Sequence, residues 1–334
     1  MSKLLSRFMS SSITNTTHKS CTLVNILGTS VKPGERHVLD LQVARLYTRT
    51  SVEIPVVVQR GKEDGPVLLL LAGVHGDEIN GIDTVRRILK ELNERPLERG
   101  TLVAIPVLNV FGFLAMKREL PDGRDLNRFF PGSPNGSLAS RLAHALVTEV
   151  LPAVDVVIDL HSGAEQRYNH PHLRYTEGDE ASRALAEVFD PPLLLKASIR
   201  EKSIRSYLNG IGKSYVLFEG GMARSMDEDA IRVAFRGVGR VMEHLGLWKG
   251  PSDKARGASM LSNSKWVRAP MAGLFQAVVE NGSKVEEGMV LGLIADPYGE
   301  LVKQVRAPFP GHILCVNTTP VVNQGDALLH IGLP

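Results

Sequence analysis

This sequence of 334 residues is short of cysteine, has no long apolar run and carries little net charge. Its two cysteines, Cys21 and Cys315, lie far apart and form no C-x-x-C pair, which favours a reducing compartment and argues against a cysteine metal site. No stretch approaches about eighteen consecutive apolar residues, so we expect no membrane span and a cytoplasmic protein. The formal charge of +3 is spread along the chain, which leaves nucleic-acid binding without support.

Composition and length favour a folded chain of more than one domain. With 43% hydrophobic and 22% charged residues the chain can build sizeable cores. Its length predicts one large domain with a smaller one attached. The composition changes at a polar, Gly- and Ser-rich stretch without periodicity. We therefore expect a flexible tail over residues 1–20, an α/β domain over 21–250, a linker over 251–264 and a small β domain over 265–334.

A predicted strand and helix carry the first candidate site. The apolar run at residues 67–71 is typical of a strand buried on both faces. After a break at Gly73, apolar residues recur at three- and four-residue spacing as far as Leu92, which predicts an amphipathic helix. His75 and Glu78 therefore lie on the turn between the two and could converge on a metal ion. Alone, such a pair is more often a surface histidine beside a helix-start acid.

Similar segments recur along the first 250 residues. Further buried strands are predicted at 101–110, 154–163 and 214–221. Further amphipathic helices are predicted at 138–151, 180–189 and 203–210. Ser225 and Glu228 form a capping-box pattern that opens another helix, ending near Leu247. His144 is expected on the surface of its helix. Strands that alternate with helices in this way predict an α/β sheet with helices on both faces.

The last seventy residues contain an internal repeat. The motif A-P-x-x-G begins at Ala269 and returns 38 residues later at Ala307. The motif V-x-x-G-x-x-L-x-x-I begins at Val285 and returns 37 residues later at Val322. Short strands punctuated by Gly and Pro, repeated once, predict a small β-sandwich with pseudo-twofold symmetry. The pattern resembles the barrel-sandwich domains that carry lipoyl and biotinyl groups.

Two more candidate groups end buried strands. His161 follows the apolar run 156–160, so we expect it at the carboxyl edge of the sheet, where α/β proteins place ligands. It would be the distant histidine that a catalytic zinc site of the His2Glu kind requires. Glu219 ends another apolar run and precedes two glycines. Because a buried carboxylate is costly unless it is paired or functional, Glu219 is a candidate general base, with a buried ion pair as the alternative.

A loop at residues 116–132 supplies further polar groups. Asp125 could accept the free ring N–H of His75. Asn127 and Arg128 could hold a substrate carboxylate, the arginine through its bidentate guanidinium. Without the two histidines, a solvated charged turn would be the preferred interpretation of this segment.

Four motifs in this order resemble the succinylglutamate desuccinylase/aspartoacylase family, a group of carboxypeptidase-A-like zinc hydrolases. They are H-G-D-E at 75–78, R-x-L-P-D-G-R-D-L-N-R at 118–128, D-L-H-S-G at 159–163 and F-E-G-G at 218–221. Together with the C-terminal repeat, the resemblance covers about residues 45–334. It implies a mixed central sheet flanked by helices, as in zinc carboxypeptidases, with a small all-β barrel-sandwich domain at the C-terminus.

The resemblance also implies a zinc-dependent amidohydrolase. His75, Glu78 and His161 would bind one zinc ion per subunit. Arg118 would stabilise the oxyanion, and Glu219 would be the catalytic carboxylate. The implied reaction removes an acyl group from an N-acylated amino acid or a related small carboxylate, by attack of a zinc-bound water on the amide.

The resemblance also implies residues that bind the substrate, and the match to the family differs from one residue to the next. Asn127 and Arg128 match the family residues that take the α-carboxylate of the substrate. Arg205 stands where aspartoacylases place an arginine for the side-chain carboxylate, although the segment between it and Glu219 differs in length from that of aspartoacylase. Tyr298 is the candidate for the tyrosine that aspartoacylases contribute from the C-terminal domain, and an ordinary turn residue is the alternative. A requirement for an acidic substrate side chain is therefore left open.

Other readings stay open at this point. A metallocarboxypeptidase acting on short peptides is the nearest rival. Another is a domain that carries a biotinyl or lipoyl group on a lysine. At the position expected for that lysine the sequence has Gly299 and Glu300, and Lys303 lies close by. His170 and His172 could lie near the site or on a loop. Expected partners are a small N-acyl amino acid or related carboxylate, with no nucleic acid and no membrane, and a homo-oligomer is left open.

Overall fold

The computed structural model describes residues 23–45, 47–250 and 255–334. The predicted tail at 1–20 and Cys21 lie outside the described residues. In the described part, no helix is long and apolar enough to cross a membrane. The helices are α1 Ile79–Glu94, α2 Val110–Ala115, α3 Leu138–Ala145, α4 Glu180–Phe189, α5 Ile204–Gly210 and α6 Glu228–His244. Shorter turns of other pitch are Leu126–Arg128, Leu146–Val150 and Leu151–Ala153.

Nineteen strands lie in the described ranges. The strands of the first 250 residues are β1 Val24–Ile26, β2 Thr29–Val31, β3 Arg36–Arg45, β4 Ser51–Arg60, β5 Glu63–Ala72, β6 Arg99–Ile105, β7 Val156–Gly163, β8 Arg167–Thr176, β9 Leu193–Ala197 and β10 Ser214–Met222. The later strands are β11 Ser259–Leu261, β12 Asn263–Arg268, β13 Gly273–Ala277, β14 Lys284–Val285, β15 Val290–Ala295, β16 Val302–Arg306, β17 Gly311–Asn317, β18 Val321–Val322 and β19 Ala327–Leu333.

A parallel core of four strands, in the order β6-β5-β7-β10, forms the centre of a large mixed sheet. Leu69 and Leu71 of β5 belong to one buried cluster, which includes residues of α3 and α5. Leu68 and Leu70 belong to another, which includes residues of α1, α4 and α6. Both faces of the strand are covered, which explains its unbroken apolar run. The predicted α/β fold class is confirmed.

Two local predictions were wrong. The strand predicted to reach residue 110 ends at Ile105, because Pro106 lacks an N–H and the Asn109 side chain accepts a bond from Gly112 N, capping α2. The helix expected to start with Ser225 is instead capped by Asp227, whose carboxylate accepts a bond from Ala230 N at 2.9 Å. Asp is at least as good a cap as Ser, and its position sets the start of α6.

The C-terminal strands form an antiparallel all-β region that is also joined to the central sheet. β12, β19 and β17 pair in that order, and β17 pairs with β8 through the partners Cys315 and Asn169. A second sheet has the order β16-β15-β13-β18. Within the predicted linker, residues 251–254 lie outside the described part, but β11 pairs with β9 and β12 begins at Asn263. The domain boundaries themselves stay a prediction.

The packing of α1 against β7 generates a test of the fold. A Cβ added at Gly81 would lie 2.6 Å from the carbonyl oxygen of Leu160, the residue before His161. Gly81→Ala should therefore lower the free energy of unfolding by about 1–3 kcal/mol, because backbone must move to relieve the overlap. Chemical denaturation measures this change.

Gly239 of α6 is the matched control. A Cβ there would meet only the Trp248 ring, at an ordinary 3.8 Å. Gly239→Ala should be neutral or stabilise the protein by up to about 1 kcal/mol through helix propensity. If both variants had the same stability, the close packing of α1 on β7 would be refuted.

Candidate active site

Three proposed metal ligands meet at the carboxyl edge of the parallel core. His75 lies in the loop after β5, Glu78 immediately precedes α1, and His161 lies in β7. Parallel strands end at the same edge, so residues distant in sequence are brought together there. All three side chains are buried, and one ligand atom of each lies within 4.8 Å of the other two.

The ligand atoms face one another across a small gap. His75 Nδ1 lies 2.7 Å from Glu78 Oε1, and His161 Nδ1 lies 2.9 Å from Glu78 Oε2. The two Nδ1 atoms are 3.2 Å apart. Ligand atoms about 2.0–2.1 Å from a tetrahedral zinc ion are about 3.3 Å from each other, so the spacing of the imidazole nitrogens suits this metal.

The outer nitrogens of both imidazoles face carboxylates. His75 Nε2 lies 3.1 Å from Asp125 Oδ1, and His161 Nε2 lies 3.0 Å from Asp159 Oδ1. The Tyr215 hydroxyl donates to Asp159 Oδ2 at 2.8 Å. The hydrogen bond between His75 Nε2 and Asp125 keeps the proton on Nε2 and leaves the Nδ1 lone pair free to bind a cation. The contact between His161 and Asp159 is an ion pair without a hydrogen bond among the described residues. Strand alternation, which puts Asp159 and His161 on one face, is the signal that could have found Asp159.

The electrostatics of the cluster favour positive charge. Burial lowers the pKa of His161, but the carboxylates of Asp159 and Glu78 outweigh burial and hold this pKa well above its usual value. Burial raises the pKa of Glu78, yet His75 and His161 together hold it well below the usual range. Cationic charge between these groups is therefore stabilised, and the donor set fits a divalent metal ion.

The 116–132 loop reaches this cluster. Arg118 Nη1 lies 3.0 Å from His75 Nδ1 and donates to Glu78 Oε1 at 3.1 Å, while its Nη2 donates to Asp125 Oδ2 at 3.0 Å. Asn127 N in turn donates to Asp125 Oδ1 at 2.9 Å. Asp125 therefore links the loop backbone, Arg118 and His75, and places a guanidinium beside the proposed ligands.

Asn127 and Arg128 line the same cavity. The Asn127 Oδ1 atom accepts a bond from Ile204 N at the start of α5, at 2.9 Å. The amide of Asn127 is thus oriented by α5. Arg128 Nη2 lies 3.5 Å from Asp125 Oδ2, and its Nη1 donates to the carbonyl oxygen of Asn127.

Glu219 of β10 is the register partner of His161 on β7, so it lies beside the cluster. Its carboxylate accepts a bond from Asn169 Nδ2 at 2.8 Å, and Arg174 Nη2 lies 3.7 Å away. Both partners come from β8, a strand that sequence reasoning missed because its N-H-P-H segment has no apolar alternation. Glu219 also lines the cavity.

Of the two remaining candidates, the structure brings only Arg205 to the site. Arg205 lines the cavity, and its Nη2 donates to Ser198 O, while its buried Nη1 has no hydrogen-bond partner among the described residues. Burial lowers the pKa of Arg205, and the charges of Arg174 and Arg200 act in the same direction. Tyr298 is 85% exposed and does not line the cavity, because it lies in an outward turn between β15 and β16.

The cavity has a volume of about 900 Å³, and its far wall comes from the C-terminal strands. Trp266 stacks on His330 with ring centroids 4.5 Å apart, and the Arg167 guanidinium lies 5.9 Å above the Trp266 ring. No local pattern in the sequence marks these residues, so they could not be predicted from it. Among the described residues, three acids line the cavity, Glu78, Glu219 and Asp326. The lining Arg and Lys residues outnumber them: Arg118, Arg128, Arg167, Arg174, Lys196, Arg200, Arg205 and Arg268.

Comparisons with known proteins support the family that the motifs indicate. A sequence model of the succinylglutamate desuccinylase/aspartoacylase catalytic domain matches residues 64–245. The N-alpha-acetyl-L-2,4-diaminobutyric acid deacetylase of Halomonas elongata is 30% identical over 297 residues, which cover 84% of this chain and 86% of that protein.

Solved structures share the fold. The product-bound ectoine utilization protein EutE (DoeB) of Ruegeria pomeroyi has a TM-score of 0.81 at 24% identity, covering 90% of this chain and 95% of that one. The succinylglutamate desuccinylase/aspartoacylase of Rhodobacter sphaeroides has a TM-score of 0.79 at 26% identity, covering 89% and 95%. The family resemblance in the motifs is confirmed. The protein is a deacylase, a hydrolase that acts on amides, and it belongs to the succinylglutamate desuccinylase/aspartoacylase family.

Proposed function

We propose that the protein is a zinc-dependent deacylase that removes an acyl group from an N-acylated amino acid or a related small carboxylate. The observation that supports it best is the convergence of the Nδ1 atoms of His75 and His161 on the Glu78 carboxylate, with each outer nitrogen against a second carboxylate. These three residues would hold the ion. Bound zinc would supply a Lewis acid that polarises the amide carbonyl and lowers the pKa of water.

Glu219 and Arg118 would carry out the remaining chemistry. Glu219 would accept a proton from the attacking water and later return it to the departing amine. Arg118 would stabilise the negative charge that develops on the carbonyl oxygen, because its guanidinium already lies beside the ligand cluster.

The polar lining supports an anionic substrate. Asn127 and Arg128 would bind the α-carboxylate of the amino acid. Arg205, with one buried nitrogen lacking a partner in the described part of the chain, would bind a second carboxylate. A carrier role has less support, because Lys303 lies within β16 rather than at the tip of the β15–β16 turn.

Metal analysis tests the ligand set. The wild-type protein, purified with zinc, should contain about one zinc ion per chain, and His75→Ala and His161→Ala should lose most of it, because three protein ligands are needed for tight binding. Elemental analysis of the dialysed proteins gives the ratio. His144→Ala is the control, since His144 lies at the end of α3 and does not line the cavity. Equal zinc in all variants would refute the assignment.

Replacement of the proposed base separates chemistry from metal binding. Glu219→Gln keeps the size of the side chain but cannot accept a proton, so kcat should fall about 10²- to 10⁴-fold. Zinc content should stay at the wild-type level, because Glu219 is not a ligand. Steady-state kinetics and elemental analysis on the same sample measure both quantities. A variant with wild-type kcat would remove Glu219 from the mechanism.

A substrate panel tests the second carboxylate. We expect N-acetylglutamate and N-acetylaspartate to be cleaved with higher kcat/KM than N-acetylnorvaline or N-acetyl-2,4-diaminobutyrate. Arg205→Met should raise KM for the acidic substrates about 10- to 100-fold and leave the neutral one unchanged, because a charge-assisted hydrogen bond to the second carboxylate is lost.

Tyr298→Phe is the control for this panel, because its ring is exposed away from the cavity, and it should leave KM unchanged. Preference for the diamino substrate would refute the second carboxylate. Cleavage of short peptides alone would make the protein a metallocarboxypeptidase instead.

A further inference from the structure

A β-bulge in β8 lies next to the pair that Glu219 forms with His172. The antiparallel partners are Glu219 with His172 and Gly221 with Asn169, so two steps along β10 correspond to three along β8. The extra residue falls at the segment that contains Pro171, which has no N–H to donate and is typical of bulges. Bulges beside active sites re-aim side chains. Here the bulge lets Asn169 and Arg174, an odd number of residues apart, reach the same carboxylate.

The two β8 side chains contact different oxygens of Glu219. Asn169 Nδ2 donates to Oε2 at 2.8 Å, a full hydrogen bond. Arg174 Nη2 lies 3.7 Å from Oε1, which is an ion pair but too long for a hydrogen bond. Oε2 is therefore anchored, whereas Oε1 keeps lone pairs that can accept a proton.

His172 fixes the position of Arg174. Its Nδ1 lies 2.7 Å from the carbonyl oxygen of His170, so Nδ1 carries the ring proton. Its Nε2 then accepts a bond from Arg174 Nε at 3.2 Å. His172 is fully buried, and burial together with the charge of Arg174 holds its pKa well below the usual value. The neutral ring thus keeps its acceptor atom for Arg174.

We propose that Asn169, Arg174 and His172 are positioning residues for Glu219, and that Oε1 is the oxygen that exchanges the proton. The inference rests on the proposed hydrolysis. As the water oxygen bonds to the acyl carbon, one water proton passes to Oε1. When the carbon–nitrogen bond breaks, Oε1 returns that proton to the amine nitrogen. Asn169 holds Oε2 throughout, and Arg174, held by His172, stays 3.7 Å from Oε1 and limits the rotation of the carboxylate.

Kinetics of three variants test this arrangement. Asn169→Ala and His172→Leu should lower kcat about 10- to 100-fold with KM within about threefold of wild type. The reason is that Glu219 is displaced, while the residues that bind the substrate carboxylate are unchanged. His172→Gln should recover part of the loss, since its amide oxygen can replace Nε2 as the acceptor. Tyr168→Phe is the control on the same strand, because its hydroxyl bonds Asp227 outside the cavity, and its kcat should not change.

Crystal structures of the zinc-loaded variants add a measurement that needs no turnover. In His172→Leu, the Arg174 guanidinium should turn away from Glu219, and in Asn169→Ala the Glu219 carboxylate should rotate. Zinc content and melting temperature near wild type would show that the fold and the ligands are intact.

The two proposals fail in different ways. Unmoved Arg174 and Glu219 side chains, or wild-type kcat in Asn169→Ala, would overturn the positioning roles even if wild type cleaves N-acetyl amino acids. Displaced side chains, together with no hydrolysis of any substrate by wild type, would instead refute the proposed reaction and leave the arrangement of β8 supported.

Discussion

Two imidazole nitrogens and a carboxylate, all on buried side chains, lie within hydrogen-bond distance of one another, and the surrounding residues are arranged to stabilise this contact. His75 and His161 place their Nδ1 atoms 3.2 Å apart, which two lone pairs tolerate only with positive charge between them. The fold supplies that preference through carboxylates on every side: Glu78 between the rings, Asp125 behind one and Asp159 behind the other. The Tyr215 hydroxyl donates to Asp159 and the Arg118 guanidinium donates to Asp125, so each outer carboxylate accepts a further hydrogen bond.

The strand β8 connects the hydrolase sheet to the C-terminal region. On one side it pairs with β10, next to Glu219, and on the other with β9 and β17. The C-terminal strands consequently wall the cavity with Trp266, His330 and Arg268. His330 is neutral, because burial, followed by the charge of Arg174, lowers its pKa to about 3. The small β region is thus part of the site rather than a separate module, and its residues can influence which substrates enter.

Arginine and lysine side chains outnumber acids in the lining of the cavity. Their mutual repulsion is unfavourable when no anion is bound. Arg174 and Arg200 act on Arg205 through space, and one Arg205 nitrogen is buried without a partner in the described ranges. Mutual repulsion of this kind is relieved when a carboxylate binds. A cleft lined with one sign of charge also concentrates oppositely charged ligands and accelerates their association. The same feature could therefore serve substrate capture and substrate orientation.

The sequence by itself determined the α/β class, the strand–turn–helix around His75 and Glu78, and the family. These three inferences depend on local periodicity and on motif spacing, both of which can be seen in the amino-acid sequence without a structure. Only the tertiary structure decided that Tyr298 faces solvent and that Trp266, Asn169 and Arg174 face the cavity. The reason is that strand order, register and a single bulge set the direction in which each strand side chain points. A shift of one residue in register moves a side chain to the opposite face of its sheet.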